Sequence, residues 1–519
     1  MSEWLPKKLT AVAGAAVNDI PWLAHEASSF VINHAVGATR TRPHPWSMVS
    51  EYTSWQSLTD RSYLARHRPA VPLPDDLPDP DRVKMLFARP DGRQRLSTKS
   101  TCLFPSFAQY LTDGFIRTDP SDPRKTTSNH EIDLCPLYGR TLAQTAILRL
   151  GSNEAGERGR LRSQKVRLAD GTKEEYAPFL YIDRGERIDP VFAGLDPPLF
   201  GQGPAPSPAR RATLFAFGGD RANSTPFAAM MNTLLLREHN RLAGELERRN
   251  PGWDDERVFQ TARNILIPMY IKLVVVEYIN HITPLPFRLV ADPSVAWKAD
   301  WNRPNWITGE FSLLYRWHSL MPDEIVLPGG AIPLGSFGLD NTPLLDHGLL
   351  ALFAAASAQP AAALGAFNTA ASLLPLEIAA VKQARFYRLD TYNNYRRHFH
   401  LPPARYFSDI TKDPATELLL KDLYGTPDRV EFYPGLFAED RVVNSPLPNL
   451  ILTMVAVDAF SQALTNPLLS EHVYNAATFT SWGLSEIEAT NSLRTMLDRN
   501  VATRTDVPIT MTQPSWQAD

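Results

Sequence analysis

The chain has 519 residues and 58.0 kDa, is 44% hydrophobic and 21% charged, and carries a net charge of -3 at pH 7. These are globular values that exclude disorder as the default, and with no Lys/Arg-rich arm they exclude nucleic-acid binding as well. Cys102 and Cys135 are the only cysteines, too few for a disulfide framework or a thiolate metal cluster, so a reducing, cytoplasmic setting is expected.

From the N-terminus, residues 9–17 follow Lys7 and Lys8 with the length of a signal-peptide core, but they are weakly apolar and lack a cleavage site. Trp22, Leu23, Phe30, Val31 and Ile32 are spaced as an amphipathic face, which either packs on the main domain or makes peripheral membrane contact. Proline, at 44 residues, clusters at 69–80, 120–123 and 197–208 and marks surface connectors. Between them, helical periodicity predicts helices over 104–117, 226–249, 255–282, 344–358, 374–387, 415–423 and 450–464. Asn250, Pro251 and Gly252 separate two of these as a stop signal should. Strand signals are few and short, and no run of about 18 apolar residues offers a membrane span. The expectation is a mostly α chain: an N-terminal extension over 1–50, then one large helical catalytic domain over 51–519.

The common soluble-enzyme motifs are missing. There is no H-E-x-x-H, no G-x-S-x-G elbow, no P-loop and no G-x-G-x-x-G turn. What stands out is FSLLYRWHSLMPDE at 311–324, with Tyr315 three residues before His318 in helical apolar spacing. On a helix these two side chains share a face. Such a pair either sits in the core or holds an iron cofactor and passes it one electron.

Other segments favour the second reading. Residues 233–250, TLLLREHNRLAGELERRN, and the following PGWDDERVFQTARNILI resemble the central helix and its successor in the peroxidase and cyclooxygenase superfamily of haem proteins. The resemblance runs over most of the chain, from Ser54-Trp55 to about Asn466. It implies a haem peroxidase-type helical domain holding haem b. FSLLYRWHSLMPDE resembles the proximal segment of the cyclooxygenases, with the signature Y-H-W-H. This makes His318 the axial ligand of the haem iron and Tyr315 the residue oxidised to a radical, while Arg316 replaces the first histidine of the signature. The resemblance places Asn393, in TYNNYR, behind the proximal histidine as its hydrogen-bond partner.

On the distal side, FAQYLTDGFIRT at 107–118 resembles the cyclooxygenase distal helix. Gln109 stands where the family has its glutamine, and Asp113 replaces the distal histidine four residues later. An ordinary aspartate, with a pKa of about 3.9, is a weaker base than imidazole at about 6.5, so peroxide cleavage is expected to be slowed. Arg221, in GGDRANSTP, falls where mammalian peroxidases keep a distal arginine, and its charge would hold Asp113 ionised on close approach. Gly114 after Asp113 and the lack of a matching loop after Tyr138-Gly139 imply no calcium. Thr112 offers no carboxylate for an ester link to haem.

The tyrosine at 315 marks the fatty-acid oxygenases of the superfamily and implies a radical dioxygenase of unsaturated fatty acids using O2. The family's carboxylate-binding arginine has no counterpart in FVINHAV at 30–36, although Arg40 and Arg42 lie just downstream as candidate anchors. Ser461, in VDAFSQALTN, falls near a serine that lines the substrate channel. Two alternatives stay open: a haem peroxidase of small donors, and a haem-binding protein that has lost catalysis.

Overall fold

Helix α1 (Pro21–Gly37) has Pro21 in its first turn and buries Ala24, Ser28, Ile32 and Val36, a four-residue repeat that makes a single contact ridge. That ridge lies along a late helix of the chain, Asn449–Leu464. Ser28 Oγ accepts from the Val290 N–H at 3.0 Å, and Asn33 Oδ1 accepts from Trp301 Nε1 at 2.8 Å. The computed structural model describes residues 14–39, 46–199 and 205–518. Arg40, Arg42, most of the signal-like run and part of the third proline cluster lie outside them.

Helix α2 (Leu103–Phe115) is almost wholly buried. It packs on α3 (Pro226–Arg249), where Tyr110 Oη donates to Asn232 Oδ1 at 3.1 Å. Thr225 caps α3 by accepting from the Ala228 N–H, Pro226 fits the first turn, and Arg248 and Arg249 suit the C-terminal end of the dipole. Because α3 is buried on nearly every side, it is the central helix of the domain. Asp254 caps the next helix, α4 (Asp255–Leu273), which packs on α3 and continues through a π-helical stretch, Val274–Ile279. The run Asp255–Ile282 is apolar and long enough to cross a membrane, but it is largely buried inside the fold and serves as a core helix.

The segment bearing Tyr315 departs from the expected helix. Helix α5 (Gly309–Leu314) ends one residue before Tyr315, and His318 opens a separate 3-10 turn, His318–Leu320. Tertiary packing overrides the spacing here. Tyr315 stacks on Trp317 with ring centroids 4.7 Å apart, and Phe311 meets Tyr315 edge-on at 4.7 Å. These aromatic contacts accompany a tight turn, in which the Trp317 N–H bonds the Tyr315 carbonyl at 2.9 Å. The start of α5 is pinned by Thr308, whose hydroxyl accepts from the Phe311 N–H, and by buried Glu310, which accepts from Tyr395 Oη at 2.6 Å and the His67 N–H at 2.9 Å. Gly309 permits close approach: a Cβ there would lie 2.9 Å from Tyr387 Cδ2.

Around this centre stand α6 (Thr342–Ala358), α7 (Leu374–Phe386), α8 (Tyr392–His398), α9 (Phe432–Ala438) and α10 (Asn449–Leu464). Helix α6 bends at Gly348, whose φ of +80 suits glycine. The strands among the described residues form five short antiparallel pairs and no larger sheet. The mostly helical domain expected from the sequence is what the chain forms.

Candidate active site

Two walls enclose a cleft of about 250 Å3. One wall is α2, which presents Gln109, Thr112 and Asp113; the other is the turn after α5, which presents Tyr315, Arg316, Trp317 and His318, and Arg221 closes one side. The break after Leu314 thus leaves Tyr315 and His318 in one cleft, though not on one helix.

On the α2 wall, Gln109 Nε2 donates to Ser224 Oγ at 2.7 Å. Asp113 is 7% exposed, and Arg221 Nη1 lies 3.6 Å from its Oδ1. Behind them Arg117 pairs with Asp220 at 2.8 Å. The expected approach of Arg221 is therefore present, yet it does not hold Asp113 at an ordinary acidity. Burial pushes the Asp113 carboxyl up to about 6, against the opposing pull of Arg221 and Arg117. The aspartate gains a basicity close to that of an imidazole, about 6.5.

On the opposite wall His318 is largely buried, and among the described residues neither ring nitrogen is in a formed hydrogen bond. Its Nδ1 lies 3.2 Å from Glu377 Oε1, close enough for an ion pair but off the hydrogen-bond line. Asn393 is not behind the imidazole. Its amide donates to the Ala404 carbonyl at 2.9 Å and to Asp428 Oδ1 at 2.8 Å, and its oxygen accepts from the Ala404 N–H at 2.8 Å. These bonds tie α8 to the following loop, and none of them reaches His318. The bond expected from Asn393 to the imidazole is not made, and the carboxylate beside His318 Nδ1 is that of Glu377, on α7.

Tyr315 is half-buried, and its hydroxyl oxygen accepts from Tyr278 Oη at 3.1 Å. Tyr278 sits on the π-helical stretch after α4, a distortion frequent at functional positions. Burial pushes the Tyr315 phenol well up, partly offset by the bond from Tyr278, so the phenol keeps its proton. Arg316 reaches Gln383 Oε1 at 3.4 Å, and its buried Nε has no partner among the described residues. Burial, and then the nearby charge of Arg221, weaken its hold on the proton.

Ser461 does not line the cleft. It is fully buried, and its hydroxyl donates to the Asp458 carbonyl at 2.9 Å. A second, largely apolar cavity of about 360 Å3 lies between α1, the end of α4 and α10, with Ile279, Val457 and Phe460 in its wall and His34 and His400 on its lining. Ile279 directly follows Tyr278, so one short stretch of backbone serves both the tyrosine pair and this cavity.

Tyr278 and Glu377, which touch Tyr315 and His318 from behind the cleft wall, are the groups that motif reading misses. For Glu377 one signal exists: it sits on the same stripe of α7 as buried Ala380, Val381 and Ala384, and a carboxylate on an apolar stripe needs a partner. The residues present fit a haem. An imidazole with an unengaged Nε2 faces the cleft, and two guanidiniums, one with an unpartnered Nε, supply positive charge for the carboxylate arms of the cofactor.

Comparison with known proteins agrees. The animal haem peroxidase family profile matches residues 125–363 and 366–512. Prostaglandin G/H synthase 2 of Equus caballus is 30% identical over 508 residues, covering 93% of this chain and 78% of its own. Prostaglandin G/H synthase 1 of Rattus norvegicus is 31% identical over 476 residues, covering 89% and 74%. Among solved structures, peroxidase A of Dictyostelium discoideum superposes with a TM-score of 0.67 at 19% identity, over 86% of this chain and 95% of that one. Fatty acid alpha-dioxygenase of Oryza sativa gives 0.65 at 17% identity, over 85% and 81%. With a profile match over more than half its length and a synthase relative at 30% identity across nearly all of it, the chain belongs to the animal haem peroxidase family and so to the haem-binding peroxidase and cyclooxygenase superfamily.

Proposed function

We propose that this protein is a haem-dependent dioxygenase of unsaturated fatty acids that works through a radical on Tyr315. The observation that carries the reading is Tyr315 itself: a half-buried phenol that accepts a hydrogen bond from Tyr278 and lines the same cleft as His318. His318 would hold the iron through Nε2, and Arg221 and Arg316 would receive the cofactor's carboxylates. When bound, the haem supplies one-electron oxidising power drawn from a peroxide. Asp113, poised near pH 6 by burial, takes the peroxide proton, and Gln109, fixed by Ser224, orients the group beside it.

Tyr315 then does the work on substrate. Its oxidised form, the neutral phenoxyl, takes a hydrogen atom from a carbon between two double bonds and becomes phenol again. O2 adds to the carbon radical, and the resulting peroxyl radical takes the hydrogen atom back from Tyr315, leaving a lipid hydroperoxide and a renewed phenoxyl. The apolar cavity beside Ile279 is suited to an acyl chain. Trp22 and Phe30, exposed on the outer ridge of α1 at 68% and 63%, would rest on a lipid surface. The synthase relatives and the dioxygenase neighbours support this reading.

Incubation of the haem-loaded protein with a panel of unsaturated fatty acids under oxygen, with mass spectrometry of the products, tests the proposal. Addition of 32 mass units to dienes and not to saturated chains is expected; no oxygenated product from any of them would sink it. The raised pKa of Asp113 favours a second reading, a peroxidase of small donors. Turnover of a phenol that survives Tyr315→Phe and dies in Asp113→Ala would select it.

A further inference from the structure

Glu377 is a carboxylate buried to 2% exposure beside the imidazole that faces the cleft. Nothing about helix α7 requires an acid there: its neighbours on the buried stripe are Ala380, Val381 and Ala384, and an isolated buried carboxylate is costly. The cost is offset by a constructed set of donors. Thr369 Oγ1 donates to Glu377 Oε1 at 2.9 Å, and Tyr433 Oη donates to Oε2 in a short hydrogen bond. Thr369, on the loop before α7, and Tyr433, on α9, approach from different elements, so the carboxylate is fixed from two sides. The oxygen nearer His318 carries only the one bond from Thr369 and keeps acceptor capacity for the Nδ1–H. The 3.2 Å separation puts that oxygen within hydrogen-bonding distance of Nδ1.

A histidine that binds metal through one nitrogen is oriented, and made more basic, by the acceptor of its other N–H. A carboxylate is a stronger acceptor than an amide. We propose that Glu377 is a positioning residue that raises the donor strength of His318, so that electron push from the proximal side supplies part of the O–O cleavage that a distal imidazole would otherwise promote. Axial-ligand donation of this kind is an established lever on haem reactivity. The inference rests on His318 as the ligand, and it joins two features of this chain: the aspartate at 113 and the acid at 377.

The test uses the full chain loaded with haem, and reads the iron–histidine stretch of the ferrous form by resonance Raman together with the ferric/ferrous midpoint potential. In Glu377→Gln the stretch moves to lower frequency, the potential rises, and the reaction with hydrogen peroxide slows about tenfold or more. Tyr433→Phe removes a donor that competes for the same carboxylate, so it moves stretch and potential in the opposite directions and still decides the matter if Glu377→Gln does not fold. Unchanged values in either variant overturn the inference. A merely structural role for Glu377 would lower stability and leave these opposed shifts absent. His318→Ala separates the two levels: loss of the iron–histidine stretch there, with no response to Glu377→Gln, refutes the role of Glu377 alone. An unaltered spectrum in His318→Ala refutes the ligand, and the inference with it.

Discussion

Asp113→Asn isolates the group proposed to take the peroxide proton. Raising a carboxyl from its ordinary value of 3.8 to about 6 means that the folded protein resists its ionisation, by about 3 kcal/mol at about 1.4 kcal/mol per tenfold in acidity. The sign follows from the direction of the rise. Below pH 3.8 folded and unfolded states both keep the proton and nothing is lost, the penalty grows as pH climbs toward 6, and above that it is constant. The opposing pull of Arg221 is already contained in the net value. Denaturant unfolding of Asp113→Asn should therefore show a gain of about 3 kcal/mol over the parent at pH 8 that vanishes near pH 4. The same ionisation governs catalysis: the rate of the haem-loaded protein with hydrogen peroxide should fall about tenfold from pH 7 to pH 5, where an ordinary aspartate would stay ionised and the rate would stay flat. Stopped-flow absorbance in the Soret band measures it. A parent profile without an inflection near pH 6, or an inflection that persists in Asp113→Asn, refutes the reasoning.

Three further outcomes follow from the same geometry. Tyr278→Phe removes the hydrogen bond to Tyr315, worth about 1 kcal/mol, and should alter the hyperfine pattern of the tyrosyl radical in electron paramagnetic resonance while leaving haem absorbance in place. Arg316→Gln removes one of the two cationic groups of the cleft and should weaken haem binding about tenfold or more, measured by Soret titration. Replacing Trp22 and Phe30 together by serine should abolish co-sedimentation with anionic vesicles and leave the melting temperature nearly unchanged, because both side chains already face solvent.

Much of this was legible in the sequence for a physical reason. Helices α2, α3 and α4 carry long apolar periodicities, and Thr225 and Asp254 cap α3 and α4, so their existence follows from neighbours in the chain. Gln109 and Asp113 reach the cleft because a four-residue spacing on a regular helix fixes a shared face. The failures occur where distant packing decides. The spacing of FSLLYRWH promises one helix through Tyr315 and His318, but stacking of Tyr315 on Trp317 ends it at Leu314. Asn393 carries the motif position of a proximal partner, yet its amide is spent on Ala404 and Asp428. Glu377 lies 59 positions from His318, and the hydroxyl of Tyr278 lies 37 from that of Tyr315; no local pattern announces either meeting. The acidity of Asp113 depends on burial, which a motif does not carry.

The central claim is that Tyr315 is the atom-transferring residue, and oxygen uptake by the haem-loaded Tyr315→Phe variant with an unsaturated fatty acid bearing a 1,4-diene tests it most directly. The phenylalanine keeps the ring stacked on Trp317 and removes only the hydroxyl. Uptake should fall to the background of free haem while the Soret spectrum and the reaction with peroxide remain; uptake at the parent rate would contradict the account.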